Sequence, residues 1–198
     1  MQQKNGIYFI LDLEMTGLDP FRHGVIEFWW AILDEKFQIL EELQVDICPP
    51  SDCLIDEEAL AYNGFTQERI AKGVSYEEFC ELFLCFLERY FPFDTKPILI
   101  WQYVTADISF LQSVFFRAGR HEIAMELWND IIDTKSIANQ ENALCRLLSK
   151  PLKYTSTSLS KPGWLADTLG IRDYIAHTAM GDIHATKEVL LNFLQNTK

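Results

Sequence analysis

Two acids stand two residues apart at the end of an apolar run, in the stretch ILDLEMTGLDP at residues 10–20. Side chains alternate along a strand, so Asp12 and Glu14 share one face, roughly 6.5–7 Å apart at the backbone, and both carboxylates can reach one ion. Two anions so placed repel and are costly to bury unless a cation sits between them, so the chemistry they suit is that of a divalent metal. The plain alternative is a strand that frays and leaves both acids in water. Asp107, in TADISFL, adds a third acid in the first turn of a helix, where the helix dipole alone would also favour it. Asp182 lies in the first turns of the last helix, five residues after His177. On a continuous helix that pair would be about 140° apart, so their convergence requires His177 to lie on the loop just before, at 176–178. A neutral imidazole there suits a general base at neutral pH, whereas a surface histidine at a helix start needs no role.

Strands and helices must bring these groups in from distant parts of the chain. Residues 7–14 (IYFILDLE) are apolar on both faces, as in a central strand covered on each side, and GLDP is the turn signal that closes it. Residues 24–33 and 36–47 read as two more strands joined around Asp34-Glu35-Lys36, an antiparallel start of three strands. Ser75 and Glu78 form a capping box ahead of Phe79, Leu82, Phe83, Phe86, Leu87 and Tyr90 at helical spacing. A short apolar strand at 97–101 leads into a helix with Ile108, Leu111, Val114 and Phe115 that ends at Gly119, which sets Asp107 at the junction. Residues 130–133 read as a fifth strand, Gln140–Lys161 as a mobile polar loop, and Thr178–Gln195 as a last amphipathic helix. Strands first and then alternating elements predict an α/β fold, a mixed five-stranded sheet with helices on both faces.

Composition narrows the partners. The chain has 198 residues, of which 13% are aromatic, enough for one good core, and a single domain over residues 1–198 is expected. No apolar run approaches the roughly 18 residues that span a bilayer, and MQQKNG carries no signal-peptide pattern, so a cytoplasmic protein with no membrane partner is expected. Cys48, Cys53, Cys80, Cys85 and Cys145 lack zinc spacing; reduced thiols, mostly in the core, are expected, with a Cys48–Cys53 bridge as the alternative. Proteins that hold long nucleic acid nonspecifically present many basic side chains, and this chain has a net charge of -12. A polyanion bound here is therefore short, or recruited through metal ions. The basic cluster Arg146, Lys150, Lys153 and Lys161, with Tyr154 among them, can steer phosphates or simply face water.

Taken in order, DLEMTGLDP with Asp12 and Glu14, TADISFL with Asp107, and AHTAMGDIHA with His177 and Asp182 resemble the three motifs of the DEDDh superfamily of 3′-to-5′ exonucleases. The resemblance runs from residue 7 to residue 194. LEMTGLDP and HTAMGDI look most like oligoribonuclease, while EEALAYNGFTQERI (57–70) and SLSKPGWLADTLGI (158–171) are more similar to the proofreading and RNase T branch. Family members usually carry an Asn four or five residues before the third acid, where this chain has Tyr103 and Gln102; many carry a His where it has Asn63.

The resemblance implies an RNase H-like fold and hydrolysis of single-stranded DNA or RNA from the 3′ end, releasing nucleoside 5′-monophosphates. It implies two Mg²⁺ or Mn²⁺ ions held by Asp12, Glu14, Asp107 and Asp182, a donor set of hard oxygens suited to them. His177 is implied as the general base, so activity should rise with pH through its pKa. Met15, Thr16 and Gly17 would hold the terminal ribose and Leu18 would wedge against the last base, though turn packing explains Leu18 as well. Tyr62, Asn63 and Phe65 would line the other side, where aromatic stacking tolerates any base; core packing is the alternative, above all for Phe65. Two rivals stay open, an enzyme restricted to RNA of a few nucleotides and a catalytically weak binding module on the same fold. No polymerase or other protein partner is specified.

Overall fold

The computed structural model describes residues 7–91, 96–126, 130–159, 161–172, 174 and 178–195. The elements, in chain order, are β1 (Tyr8–Met15), β2 (Val25–Leu33), β3 (Ile39–Asp46), α1 (Glu57–Asn63), α2 (Gln67–Ile70), α3 (Tyr76–Tyr90), β4 (Ile98–Trp101), α4 (Val104–Arg117), α5 (His121–Glu126), β5 (Ile131–Asp133), α6 (Thr134–Leu147), α7 (Leu165–Thr168) and α8 (Ala179–Gln195). Among the described residues the five strands form one sheet in the order β3-β2-β1-β4-β5. β1 pairs antiparallel with β2 and parallel with β4, and β5 continues parallel from β4. The predicted mixed sheet with an antiparallel start is the one observed.

The double apolar face of β1 follows from its central place. Phe9, Leu11 and Leu13 point into the larger core with Phe28, Trp30, Phe79, Phe83 and Phe115, where α3 and α4 cover the sheet. The rings meet edge to face, tilted or stacked, with centroids 4.9 Å apart for Phe28–Trp30, 5.5 Å for Phe83–Phe115 and 5.8 Å for the stacked pair Phe79–Phe83. Ile10 points to the other side, where Ile183 and Leu190 of α8 pack on Ala31, Leu33 and Ile100. By the same alternation Asp12 and Glu14 fall on the α8 side, the side from which Asp182 comes.

Local signals set the element ends. The Ser75 and Glu78 capping box is present, with Ser75 N donating to Glu78 Oε2 at 2.9 Å and Glu78 N to Ser75 Oγ at 3.2 Å. α1 ends where Gly64 turns left-handed at φ 72°, and its N–H bonds Leu60 O. Glu27 is buried directly opposite Glu14 on β2. Arg69 meets its Oε1 at 2.6 Å and takes both oxygens of Asp46, at 2.6 and 2.8 Å, while the guanidinium lies 3.8 Å from the Phe65 ring centroid. Gln44 Nε2 also donates to Glu27. This network fastens α2, and the α1–α2 corner with it, to β2 and β3.

Several expectations need correction. Residues 140–147 are the second half of α6, not loop. The helix escapes hydrophobic periodicity because its buried stripe is Thr134, Ala138 and Asn142, small or polar side chains. Asn142 repays its burial by bracketing Tyr154, with Nδ2 donating to Tyr154 O at 2.8 Å and Oδ1 accepting from Tyr154 N at 3.0 Å. Tyr154 is itself core, and Lys153 pairs with Glu141 at 2.8 Å, while Arg146, Lys150 and Lys161 are exposed. Leu82 is exposed on α3 and Cys85 is exposed rather than core. All five cysteines are free thiols, without a Cys48–Cys53 bridge. No helix among the described residues is long and apolar enough to cross a membrane.

The bracket around Tyr154 generates an expectation. Asn142→Ala would strand a buried N–H and a buried C=O together, at a cost of roughly 2–3 kcal/mol. The denaturant midpoint should fall by that equivalent with an unchanged m-value; an unshifted midpoint would show that the 154–159 segment does not depend on α6.

Candidate active site

The sheet dictates where a site can form. β1 hands the chain to β2 on one side and is flanked by parallel β4 on the other, a topological switch point, and ligands gather beyond the carboxyl ends of strands at such points. Asp12 and Glu14 end β1, and Asp107 sits in the first turn of α4, just past the end of β4. Asp182 occupies the first turn of α8, its N–H bonded to Thr178 O at 2.9 Å. Three elements from distant parts of the chain thus deliver four acids to one end of the sheet.

The charges of Asp107, Asp182 and Glu14 all reach Asp12. Burial holds the Asp12 carboxyl well above the ordinary carboxylate range, and the charges of Asp107, Asp182, Glu14 and Glu27 push it further in the same direction. Burial pushes Glu14 up to about 8, with Glu27, Asp182 and Asp107 adding to the effect. Asp107 is pushed up to about 7 by burial; the Trp101 indole N–H, donating to its Oδ2 at 2.6 Å, pulls it back, and Asp133 repels it. Among the described residues no lysine or arginine pairs with Asp12 or Glu14. Hard carboxylate oxygens with raised proton affinity suit a small divalent cation, which would relieve the repulsion that raises them. Among the described residues, no three acid, imidazole or thiol side chains already stand close enough to chelate one ion. The donor chemistry fits a metal, and the acids share a space rather than a finished cage. His177, the implied base, lies outside the described residues.

Beside the acids opens a cleft of about 310 Å³ lined by Glu14, Met15, Gly17, Leu18, Tyr62 and Asn63, with Asp56, Glu58 and Ala59 along its rim. Leu18 is 92% exposed and Tyr62 60%, so two apolar surfaces stand open on either side of it. Burial first, then Asp182 and Glu14, raise the Tyr62 hydroxyl, which ties this ring to the acids. Asn63 Nδ2 donates to Met15 O at 3.0 Å and braces the end of β1. Phe65 is core, packed with Ile26, Leu60 and Ile70.

Thr16 is placed differently from its neighbours. It is fully buried, its hydroxyl donates to Leu54 O at 2.6 Å and accepts from Gly24 N at 2.9 Å, and its own N–H and C=O bond Gly24 O and Asp56 N. With every polar group engaged internally, it straps the end of β1 to the cap of α1. Gly17 has its own structural reason, because a Cβ there would lie 2.3 Å from the His23 ring.

Sequence reasoning assigned no part to Glu27, Arg69, Trp101 or His23. A lone acid in the apolar strand VIEFWWAIL was a usable sign for Glu27. Nothing local marks Trp101 as a donor to Asp107 or His23 as the ring that fills the space at Gly17. Gln102 is also structural: its Nε2 donates to Thr157 O at 3.0 Å and its Oε1 accepts from the Thr134 hydroxyl at 2.5 Å.

Comparison with known proteins agrees with this arrangement. The chain is 27% identical over 195 residues to a PolC-type DNA polymerase III of Thermotoga petrophila, and 28% identical over 196 residues to one of Pediococcus pentosaceus, covering 98% of this chain in each case. It spans only 12% of the length of either relative. Among solved structures, the fold matches the nuclease domain of 3′hExo, a DEDDh family member, bound to rAMP, with a TM-score of 0.74 at 17% identity, covering 96% of this chain and 92% of that one. It also matches E. coli Exonuclease I in complex with a dT13 oligonucleotide, with a TM-score of 0.71 at 20% identity, covering 95% of this chain and 40% of that one. Residues 9–190, which span all four acids and the cleft, match the RNase T exonuclease family, and the chain belongs to that family.

Proposed function

We propose that the chain trims single-stranded nucleic acid from its 3′ end, one nucleoside 5′-monophosphate at a time, with divalent cations held by Asp12, Glu14, Asp107 and Asp182. The observation that carries this reading is the meeting of those four acids, from β1, α4 and α8, beside an open cleft. Bound Mg²⁺ or Mn²⁺ would supply Lewis-acid stabilisation of the charge that builds on the scissile phosphate. The acids position that charge sink and, once neutralised by it, cease to repel the phosphate. Leu18 and Tyr62 offer apolar surface on which the terminal base can rest, and stacking of this kind does not depend on base identity. Thr16 and Asn63 fix the backbone of the turn below. His177 would accept the proton of the attacking water, so its ring must be neutral.

The polymerase relatives favour DNA as the strand, in the setting of a larger polymerase. The net charge of -12 favours a strand held only near its end. End-labelled DNA and RNA oligonucleotides of two to about thirty residues, incubated with Mg²⁺ or Mn²⁺, separate the readings. A ladder receding from the 3′ end is expected, abolished by a chelator and reduced about a thousandfold or more in Asp12→Asn, because several kcal/mol of charge stabilisation go with the ion. Loss of dimers and trimers while long strands persist would instead mark an enzyme of very short RNA. Binding without cleavage would mark an inactive module.

The raised acids give a second expectation, read without any activity. An acid with a folded-state pKa above its unfolded value holds its proton more tightly when folded. For Glu14, between its ordinary 4.5 and about 8, rising pH therefore works against the fold. In the absence of divalent ions the melting temperature of the wild type should fall relative to Glu14→Gln as pH is raised across that window. Mn²⁺ near the upper end should raise the wild type and leave Glu14→Gln less changed. Parallel curves with and without Mn²⁺ would remove the cation from this site.

A further inference from the structure

Tyr103 stands between β4 and α4 at φ 71° and ψ 52°, the left-handed region. Asn, the residue that the family resemblance would place in this neighbourhood, tolerates that conformation through its short polar side chain; tyrosine enters it under strain. The strain is not repaid by burial, because the side chain is 50% exposed. Such a conformation persists only where the surroundings impose it, and here they do. Tyr103 N donates to Asp133 Oδ1 at 2.8 Å, and the Asp133 carboxylate is fixed in turn by Lys135 N at 3.2 Å and Ser136 Oγ at 2.6 Å. The Lys135 ammonium lies 3.4 Å from the Tyr103 ring centroid, and among the described residues it has no carboxylate partner.

The place of this pair matters as much as its conformation. β1 and β4 pair in parallel as far as Ile10 and Ile100, and Tyr103 follows β4 at the same end of the sheet at which Asp12 and Glu14 close β1. Asp133, which holds the Tyr103 backbone, pairs with Trp101 across β4 and β5, and Trp101 in turn holds Asp107. An exposed ring with a cation against it therefore stands at the β4–β5 end of the acid site. The Leu18 and Tyr62 cleft belongs to the loops after β1 and to α1.

We propose that Tyr103 and Lys135 form a second platform for the strand, the ring stacking on a nucleobase and the ammonium pairing with an adjacent phosphate. The proposal rests on the exonuclease reading of the acid site and adds to it a residue pair that sets how many nucleotides are gripped. Aromatic faces accept any base, and a positive charge behind the ring strengthens the stack while answering the phosphate. In a chain of net charge -12, a cation that has no carboxylate partner among the described residues gives the strand a direction in which to lie.

Tyr103→Asn keeps a residue suited to the left-handed backbone and removes the ring; Tyr103→Phe keeps the ring; Lys135→Gln removes the charge. Anisotropy of a 5′-labelled decanucleotide, with Ca²⁺ in place of the catalytic ion, measures binding, and a scan of single abasic sites along the last positions locates each stack. Tyr103→Asn should weaken binding about tenfold without lowering the melting temperature, and Tyr103→Phe should restore it. One abasic position should weaken the wild type and have no further effect on Tyr103→Asn, a coupling that a purely structural role would not produce. Lys135→Gln should reduce the salt dependence of binding by about one phosphate contact. Wild-type affinity and an unchanged abasic profile in Tyr103→Asn would overturn the platform while 3′ trimming stands. Absence of trimming by the wild type would overturn the exonuclease reading, and the anisotropy data would still decide the platform.

Discussion

Like charges buried together are among the most costly groupings a folded chain can hold, and Asp12, Glu14, Asp107 and Asp182 are grouped in that way. Glu14, Asp107 and Asp182 all raise the proton affinity of Asp12. The contrast with Glu27 is instructive, because it is buried, lies opposite Glu14, and is met by Arg69. The fold can neutralise an acid at this spot, and does so for Glu27, the cross-strand neighbour of Glu14. Asp12 and Glu14 receive no such partner among the described residues, which leaves their charge for an incoming ion.

Holding repelling groups near one another requires a stiff frame. The central strand carries two of the acids, and its end is fixed by Thr16, whose hydroxyl and backbone join the Gly24, Leu54 and Asp56 backbones. Asn63 adds a bond from α1 to Met15 O. α1 and α2 are fastened to the sheet through Arg69. The wall that offers Tyr62 and the strand that offers Glu14 are thus parts of one braced corner, so apolar contact and acid chemistry keep a constant spacing.

Much of this was legible in the residues. The double apolar face of β1, the capping box of α3 and the hairpin through Asp34 are local patterns that the fold leaves intact, and the acids sit at element ends, where punctuation marks them. What escaped reading depends on contacts between distant segments. The inward stripe of α6 ends in Asn142, a residue whose burial makes sense only with Tyr154 beside it, so the polar composition after Gln140 resembles loop. The internal bonds of Thr16 reach Gly24, Leu54 and Asp56, partners that no local pattern marks. The left-handed turn at Tyr103 has no sequence mark, since tyrosine is not a residue that announces one.

The wide separation of the acids along the chain bears on the order in which the molecule assembles. β1 and β2 meet through a short connection, while the pairing of β1 with β4, and the docking of α8 on Ile10 and Ala31, must wait for segments far removed in sequence. Contacts between distant segments form late, because the entropy of closing long loops is lost before they give anything back. Of the pairings among the four acids, that of Asp12 with Asp182 closes the longest loop. A chain that held only its hairpin would lack two of the four acids, and with them the grouping on which the site depends.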